Sequence, residues 1–242
     1  MTTPETPVPA APKRIPFVTD AIRLARVFFS PGAVFQEQRE QPTFWIPWVI
    51  VSAFFVLVTM VSLPFTIQMT RLGYEARGQP FPAAAESAMR VMAPITTPVI
   101  MLIMLLVMAG VMYLTLLGAG GEVRYKGLLS VAVFTAPIAL LQVLLTFVVL
   151  KLRGPEGLQT IADYQVTFGL DLLLPQDASL PKFLEGLLRG VSPFSLWSLA
   201  LTAIGVRLVE KQTKGAAWAA AGVSFAVSLV IGALFAGMGG AR

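Results

Sequence analysis

Five stretches of this sequence run for about 20 residues with no charge in their central part: 44–65, 94–117, 128–150, 193–209 and 216–238. The hydrocarbon core of a bilayer is about 30 Å thick, and a helix rising about 1.5 Å per residue crosses it in about that length. Hydrocarbon offers no hydrogen bonds, so a backbone there must satisfy its own N–H and C=O groups, which a helix does within one segment. The sequence therefore predicts an all-α, polytopic membrane helical bundle of five transmembrane helices. Composition agrees: 56% of the residues are hydrophobic and 13% are charged, about half the charged share of a soluble domain. Such a chain cannot cover a water-facing surface. Its net charge of +5 then reads as a set of cations facing anionic headgroups, with no nucleic-acid partner implied.

The chain has no cysteine and no histidine. Disulfides, thiolate nucleophiles, histidine metal sites and histidine general bases are excluded. Residues 1–18 read as a flexible Pro-rich tail, because the first sixteen hold five prolines and no apolar run of the kind a secretory signal needs. Residues 19–242 form the membrane domain. Two short amphipathic helices precede the first span. Thr19 can cap TDAIRLARVFF, where Arg23 and Arg26 project beside Ile22, Ala25 and Phe29. Ser30 can cap SPGAVFQEQREQ, with Pro31 at the first helical position and Pro42 ending it. Each is too short to be stable alone in water. They either lie on the leaflet surface or pack on the bundle.

Charge sets the expected orientation. The side holding the N-terminus, the loop GAGGEVRYKG and the turn after residue 209 carries ten basic and six acidic residues, against eight and seven on the other side. Short basic loops stay cytoplasmic, so the N-terminus is expected in the cytoplasm and the C-terminus outside. The loop 151–190 has the rhythm of a short helix, a Pro-Asp turn and an amphipathic helix, LDLLLPQDASLPKFLEGLLRG, and is expected to cap the outer face.

Three groups of residues are candidates for function. Ala216, Ala220, Ser224, Ser228, Gly232, Ala236 and Gly240 form an unbroken i+4 series of small residues on the fifth span. Small residues let helices approach closely in lipid, so this is a packing seam, either for a second copy or for the chain's own spans. Gln142 is the single amide well inside a span, with Thr135 and Pro137 near it, and Thr96, Thr97 and Pro98 make a similar cluster on the second span. Hydroxyls beside prolines can satisfy freed carbonyls; Thr97, Thr135 and Gln142 could instead mark a transport path. Trp45, Trp48 and Trp197 stand near span ends, as headgroup anchors do. Gly118-Ala-Gly-Gly121 lacks the Gly-Lys-Ser/Thr of a phosphate loop and reads as a helix end and tight turn. Glu156, Asp163, Asp171, Asp177 and Glu185 fall in one outer loop with no fixed spacing, and Asp177 beside Pro175 is a turn former. No catalytic, cofactor or metal site is expected from them.

Four motifs in order resemble the Yip domain family of Ypt/Rab-interacting membrane proteins, especially its bacterial branch. They are FFSPGAVFQEQREQPTFWIPWVI, GGEVRYKGLLSVAVFTAPIALLQ, LLLPQDASLPKFLEGLLRG, and RGVSPFSLWSLALTAIGVR with its Ser-Pro-Phe-Ser-Leu-Trp opening and Ala203-Ile-Gly205 exit. The likeness covers roughly residues 19–237. The chain departs from it at Phe134-Thr135, where many relatives carry Tyr-Ser. The resemblance implies a five-span bundle with a cytoplasmic N-terminus in a bacterial inner membrane. Its eukaryotic members act in vesicle trafficking, bind prenylated Rab-type GTPases and one another, and shape membranes. With so short a tail on a chain that looks bacterial, Rab binding is not carried over. What remains is a non-enzymatic scaffold or adaptor with no cofactor, whose partners are the lipid bilayer and a membrane protein or a second copy. The alternative is a small transporter or lipid-handling permease. An intramembrane enzyme is disfavoured, since no span holds a central carboxylate or lysine.

Overall fold

A computed structural model describes residues 16–175 and 180–239; most of the Pro-rich tail, Asp177 and Gly240 lie outside the described residues. The first helix, α1 (Pro16–Arg26), begins three residues inside the stretch read as tail. Proline has no N–H to lose in a first turn, so the helix starts there and Thr19, expected as its cap, sits within it. The second, α2 (Pro31–Glu40), does start where the sequence places it, with Pro31 in its first turn. Ser30 makes no side-chain bond to that helix, so it holds the cap position without acting as a cap.

These two helices form a hairpin tied to the bundle by polar side chains. Arg23 Nε donates to Glu37 Oε2 at 2.7 Å, and Arg26 Nη1 donates to Glu37 Oε1 at 2.9 Å. Asp20, buried, accepts from Arg23 Nη1 at 3.1 Å and from Thr43 Oγ1 at 3.2 Å. Gln38 Oε1, fully buried, accepts from the Thr43 N–H at 2.8 Å, from Thr43 Oγ1 at 3.2 Å and from Ser130 Oγ at 2.8 Å. Leu24, Val27, Val34 and Phe35 are buried against the spans, while Phe17, Val18, Ile22 and Phe29 remain exposed. One face of the hairpin thus packs on the bundle, as one of the two expected arrangements has it, and the other is apolar and exposed.

Partial burial pushes the Glu37 carboxyl up, but the hydrogen bonds from Arg23 and Arg26 outweigh it and hold it below the usual carboxylate range. A carboxyl depressed on folding adds stability above its unfolded pKa of about 4.3 and loses it as pH falls through the depressed value. Hydrogen exchange of α1, normalised to α3, should therefore be flat from neutral pH down to about 4.3 and rise below that. Glu37→Gln should exchange faster already at neutral pH and lack the acid limb, so that the two profiles converge at low pH. A wild-type profile with no acid limb would remove the ion pairs from the account of the hairpin.

Five longer helices follow: α3 (Trp45–Glu75), α4 (Ala83–Gly118), α5 (Tyr125–Arg153), α7 (Pro193–Val209) and α8 (Lys214–Gly239). Between α5 and α7 come three short 3-10 turns and α6 (Lys182–Gly190). No strand occurs among the described residues. Of the long helices, α3, α4, α5 and α8 are each long and apolar enough to cross a membrane. The fourth expected span, 193–209, is the helix α7, which reaches crossing length only together with α6, and the two meet at a 60° bend. The break has a local cause. Ser192 Oγ accepts from the Ser195 N–H at 3.2 Å, Ser195 Oγ accepts from the Ser192 N–H at 2.8 Å, and Pro193 follows, so a new helix starts there.

The helix α5 is central, packed by α3, α4 and α7; α8 closes the other side against α4 and α7. The α1–α2 hairpin lies at the outside of α3 and α7, and α6 lies on α8. The α4–α5 turn is a Schellman motif: Gly120, at φ 76°, donates to Leu117 O and Gly121 to Leu116 O, both at 3.0 Å. The main core, with Phe35, Met112, Leu116, Leu128, Val131, Phe134 and Val206 at its heart, gathers at the end that carries this turn. A smaller cluster of Leu150, Leu158 and Tyr164 sits at the other end. Leu57, Val61, Val99, Ile103, Leu114 and Val230 are left exposed around the outside, a surface that only hydrocarbon suits.

The close packing of α2 rests on one glycine. A Cβ on Gly205 of α7 would lie 2.7 Å from Val131 Cγ1 and 3.0 Å from the Phe35 ring. Seven residues before Phe35, the Phe28 ring meets Trp197 edge-on at 5.8 Å. The two contacts run in the same chain direction, so α2 lies alongside α7 and the turn before it reaches well down that helix.

Candidate functional site

Two concave places stand out, one at the basic end of the bundle and one inside it. The first is a polar groove of about 850 Å³ where α2, the α4–α5 turn and the α7–α8 turn converge, lined by Arg39, Glu40, Glu122, Arg124, Glu210 and Lys211 among others. Its floor is a buried carboxylate. Glu210, at the end of α7, accepts the Arg124 N–H at 2.7 Å, on the N-terminal turn of α5. A helix N-terminus favours such a charge. The Arg124 guanidinium spans three elements: Nη2 donates to Val209 O at 3.0 Å and to Arg39 O at 3.3 Å, and reaches Glu210 Oε1 at 3.4 Å. Gln212 Nε2 closes the turn by donating to Glu122 O and Glu210 O, both at 3.1 Å. Lys211 adopts φ 55°, the left-handed region, so the turn is tight and its lysine is held at the rim.

The second is a cavity of about 400 Å³ enclosed mainly by α4, α5, α7 and α8, with Phe55 of α3 and the glycines 186 and 190 of α6 completing it. Met101, Met104, Met108 and Met112 line its α4 wall. Thr135 and Gln142 come from α5, Ser195, Ser198 and Thr202 from α7, and Ser224, Ser228 and Gly232 from α8. The wall is soft and apolar with hydroxyls set into it. One of those hydroxyls addresses a thioether, Ser224 Oγ lying 3.4 Å from Met108 Sδ; behind the wall, Ser52 Oγ of α3 lies 3.4 Å from Met101 Sδ. Gly190 of α6 matters to the close fit, since a Cβ there would lie 2.5 Å from Leu229 Cδ2.

The residues singled out from sequence fall as follows. Ala220 is fully buried, Ala216 is packed at the core margin, and Ser224, Ser228 and Gly232 line the cavity; of the Ala236 side chain nothing is described. At Ala220, Ser224 and Ser228 the small-residue stripe of α8 is thus turned into the chain's own bundle, while Gly232 is exposed at the cavity's edge. Thr135 and Gln142 join it at the same cavity, whereas Thr97 does not line it. The hydroxyls and the carbonyls freed by the prolines are offset by one residue. Thr97 Oγ1 donates to Ala93 O at 2.7 Å and Thr135 Oγ1 to Ala132 O at 2.9 Å. Pro98 and Pro137 leave the carbonyls of Pro94 and Val133 without a helical donor, so the hydroxyls bond the neighbours of the freed groups. Trp45 stands exposed at the start of α3; Trp48 turns inward, its Nε1 buried; Trp197 sits against Phe28.

The outer-loop carboxylates are spread among separate structural tasks. Asp163 Oδ2 accepts the N–H of Thr160 at 2.6 Å, and Arg189 pairs with Glu185 at 2.7 Å and Asp171 at 3.5 Å. Among the described residues no three acidic groups gather as a metal site would need. Sequence reading missed the α4 methionines, the Gln38–Ser130 contact and the Glu210–Arg124 lock. The first had a signal: Met101, Met104, Met108 and Met112 recur at steps of three, four and four, one face of a helix. The second had none, because nothing local pairs residues so far apart in the chain.

An all-helical chain of four helices long and apolar enough to cross and one broken pair, apolar on its outside and with its polar groups collected inside and at its two ends, is a polytopic integral membrane protein in contact with the bilayer. It belongs to the Yip1 domain family, whose model matches residues 25–236. It is 28% identical over 227 residues to Membrane protein YknW of Bacillus subtilis (strain 168), a match covering 91% of this chain and 92% of that relative. No solved structure matches it.

Proposed function

We propose that this Yip1-family protein is a non-enzymatic scaffold or adaptor of a bacterial inner membrane, with its N-terminus in the cytoplasm, its C-terminus outside and a membrane protein as partner. The groove at the basic end carries this reading. Its backbone is fixed by the Glu210–Arg124 lock, and its rim presents Arg39, Glu40, Glu122 and Lys211 in fixed relative positions. A rigid concavity with both signs of charge favours docking of a complementary segment and gives specificity. The excess of basic residues at that end supports the orientation. Self-association through α8 has less to draw on, because Ala220, Ser224 and Ser228 are taken up inside the bundle.

The permease reading draws on Thr135 and Gln142 lining one cavity, but Thr97 lies off that path. The test uses photo-crosslinking amino acids at Arg39, Glu122 and Lys211, with Leu114 and Val230 as lipid-facing controls, in native membranes. A recurrent membrane-protein adduct from the groove and not from the controls is the expected result. Adducts from neither set, or equally from both, would remove the scaffold reading. Because the chain has no cysteine, a single one placed at Lys211 reports sidedness. Labelling of intact cells by a membrane-impermeant maleimide would reverse the proposed orientation.

A further inference from the structure

The cavity inside the bundle has a length, a wall and an unanswered polar group that together specify an occupant. It runs from Met112, Ala132 and Ala221 at one end to Met101, Gln142 and Gly232 at the other. Ten or eleven residues separate these pairs along each helix, about 16 Å of axis. Spread over that length, about 400 Å³ leaves room for one extended hydrocarbon chain and not for two. Carbon–carbon bonds of about 1.5 Å advance roughly 1.25 Å each in an extended chain, so about 13 carbons fit. The methionine wall on α4 adapts its shape to a flexible apolar guest. Ala139 and Gly232 are exposed among the lining residues, so the cavity communicates with the surrounding bilayer.

The hydroxyls of this wall are mostly answered within the protein. Thr135 donates to Ala132 O, Ser195 to Ser192 O, Thr202 to Ser198 O and Ser228 to Phe225 O. Gln142 differs: its backbone carbonyl accepts from Thr146 Oγ1 at 3.1 Å, but its carboxamide makes no hydrogen bond to the described residues. An amide at membrane depth without partners costs several kcal/mol of the kind given for any unpaired polar group in hydrocarbon. A guest with a carbonyl or hydroxyl at one end of an alkyl chain would answer it. We infer that the cavity is a binding site for one acyl chain of a membrane phospholipid, with the Gln142 carboxamide hydrogen-bonded to the chain's ester end. The site is independent of the scaffold reading, and it holds its lipid whether or not the protein moves one.

The test uses the whole chain in nanodiscs of phosphatidylethanolamine and phosphatidylglycerol, doped with phosphatidylethanolamine carrying a mid-chain diazirine. After irradiation, label should concentrate on Met104, Met108 and Ser228, about fivefold above the lipid-facing Ile103 and Val230. A Cβ on Gly232 meets nothing within 4 Å, so Gly232→Phe fills the cavity without a backbone clash and should abolish the excess. Gln142→Leu should reduce it about twofold, the worth of one weak hydrogen bond. Val230→Phe, outside the cavity, should leave it unchanged. Native mass spectrometry supplies a readout that needs no variant: one phospholipid should remain per chain after mild detergent extraction. Equal labelling of both faces, an excess that survives Gly232→Phe, or a retained mass of detergent or free fatty acid would each overturn the proposal.

Discussion

Phe35→Ala is expected to lower the stability of the chain in mixed micelles by about 3–5 kcal/mol, the range for a fully buried aromatic lost from a core that cannot collapse. Phe35 is fully buried, and its ring fills the space that Gly205 leaves open between α2, α5 and α7. Nothing else on α2 can take its place, since Val34 is already buried and Gln38 is committed to Thr43 and Ser130. Hydrogen exchange should show α1 and α2 opening before the spans do, because the hairpin keeps its polar ties but loses its apolar anchor. Gly205→Leu approaches the same joint from the other side. It overpacks against Val131 and Phe35 and should cost about 1–3 kcal/mol. A loss under about 1 kcal/mol for Phe35→Ala, with unchanged protection of α1, would mean that the hairpin is held by its ion pairs alone.

The second large effect concerns a substitution that looks conservative. Gly127→Ala puts a methyl group 1.7 Å from Glu210 Oε1 and 3.1 Å from Val209 Cγ1. The carboxylate must leave its seat, and the Arg124 N–H at the start of α5 loses its acceptor. Removing one partner of a buried pair costs about 3–5 kcal/mol, less here because the Arg124 side chain is half exposed, so about 2–3 kcal/mol is expected. A double-mutant cycle isolates the cause. Gly127→Ala should be nearly silent in a Glu210→Ala background, because the group it displaces is already gone. If the two losses simply add, the glycine is needed for some other reason. The same cycle read by cross-linking from Lys211 reports whether the groove keeps its shape.

The reach of sequence reading differs from element to element. The long apolar runs place α3, α4, α5 and α8 because hydrocarbon imposes both helix and length, and those constraints are local. The limits of these helices were less legible. The helix α4 extends back to Ala83 through a stretch with Glu86 and Arg90, since a helix continues into the headgroup region as long as its ion pairs are met. The 60° break before α7 was half visible as Ser-Pro-Phe, but the angle at which the preceding helix docks is set by packing, here α6 on α8. For the cavity, Gln142 and the α8 stripe were each noticeable alone. Their meeting depends on α8 lying between α4 and α7, which no short-range pattern encodes. The Gln38–Ser130 contact and the Glu210–Arg124 lock join residues more than eighty positions apart, which is why they were invisible.

The break before α7 also bears on where in a membrane this molecule is comfortable. With 17 residues, α7 offers about 25 Å of axis, short of the roughly 30 Å of a typical hydrocarbon layer. The helices α3 and α4, with 31 and 36 residues, exceed it and can only tilt or project. A bilayer that met α7 on one flank and α3 and α4 on the other would be drawn thinner on the first. Hydrophobic mismatch of this one-sided kind makes the local thickness of the bilayer vary around the protein's girth. Where the α1–α2 hairpin leaves α7 uncovered, neighbours with short spans would find least strain, which would give the protein a lateral polarity within the plane of the membrane as well as across it.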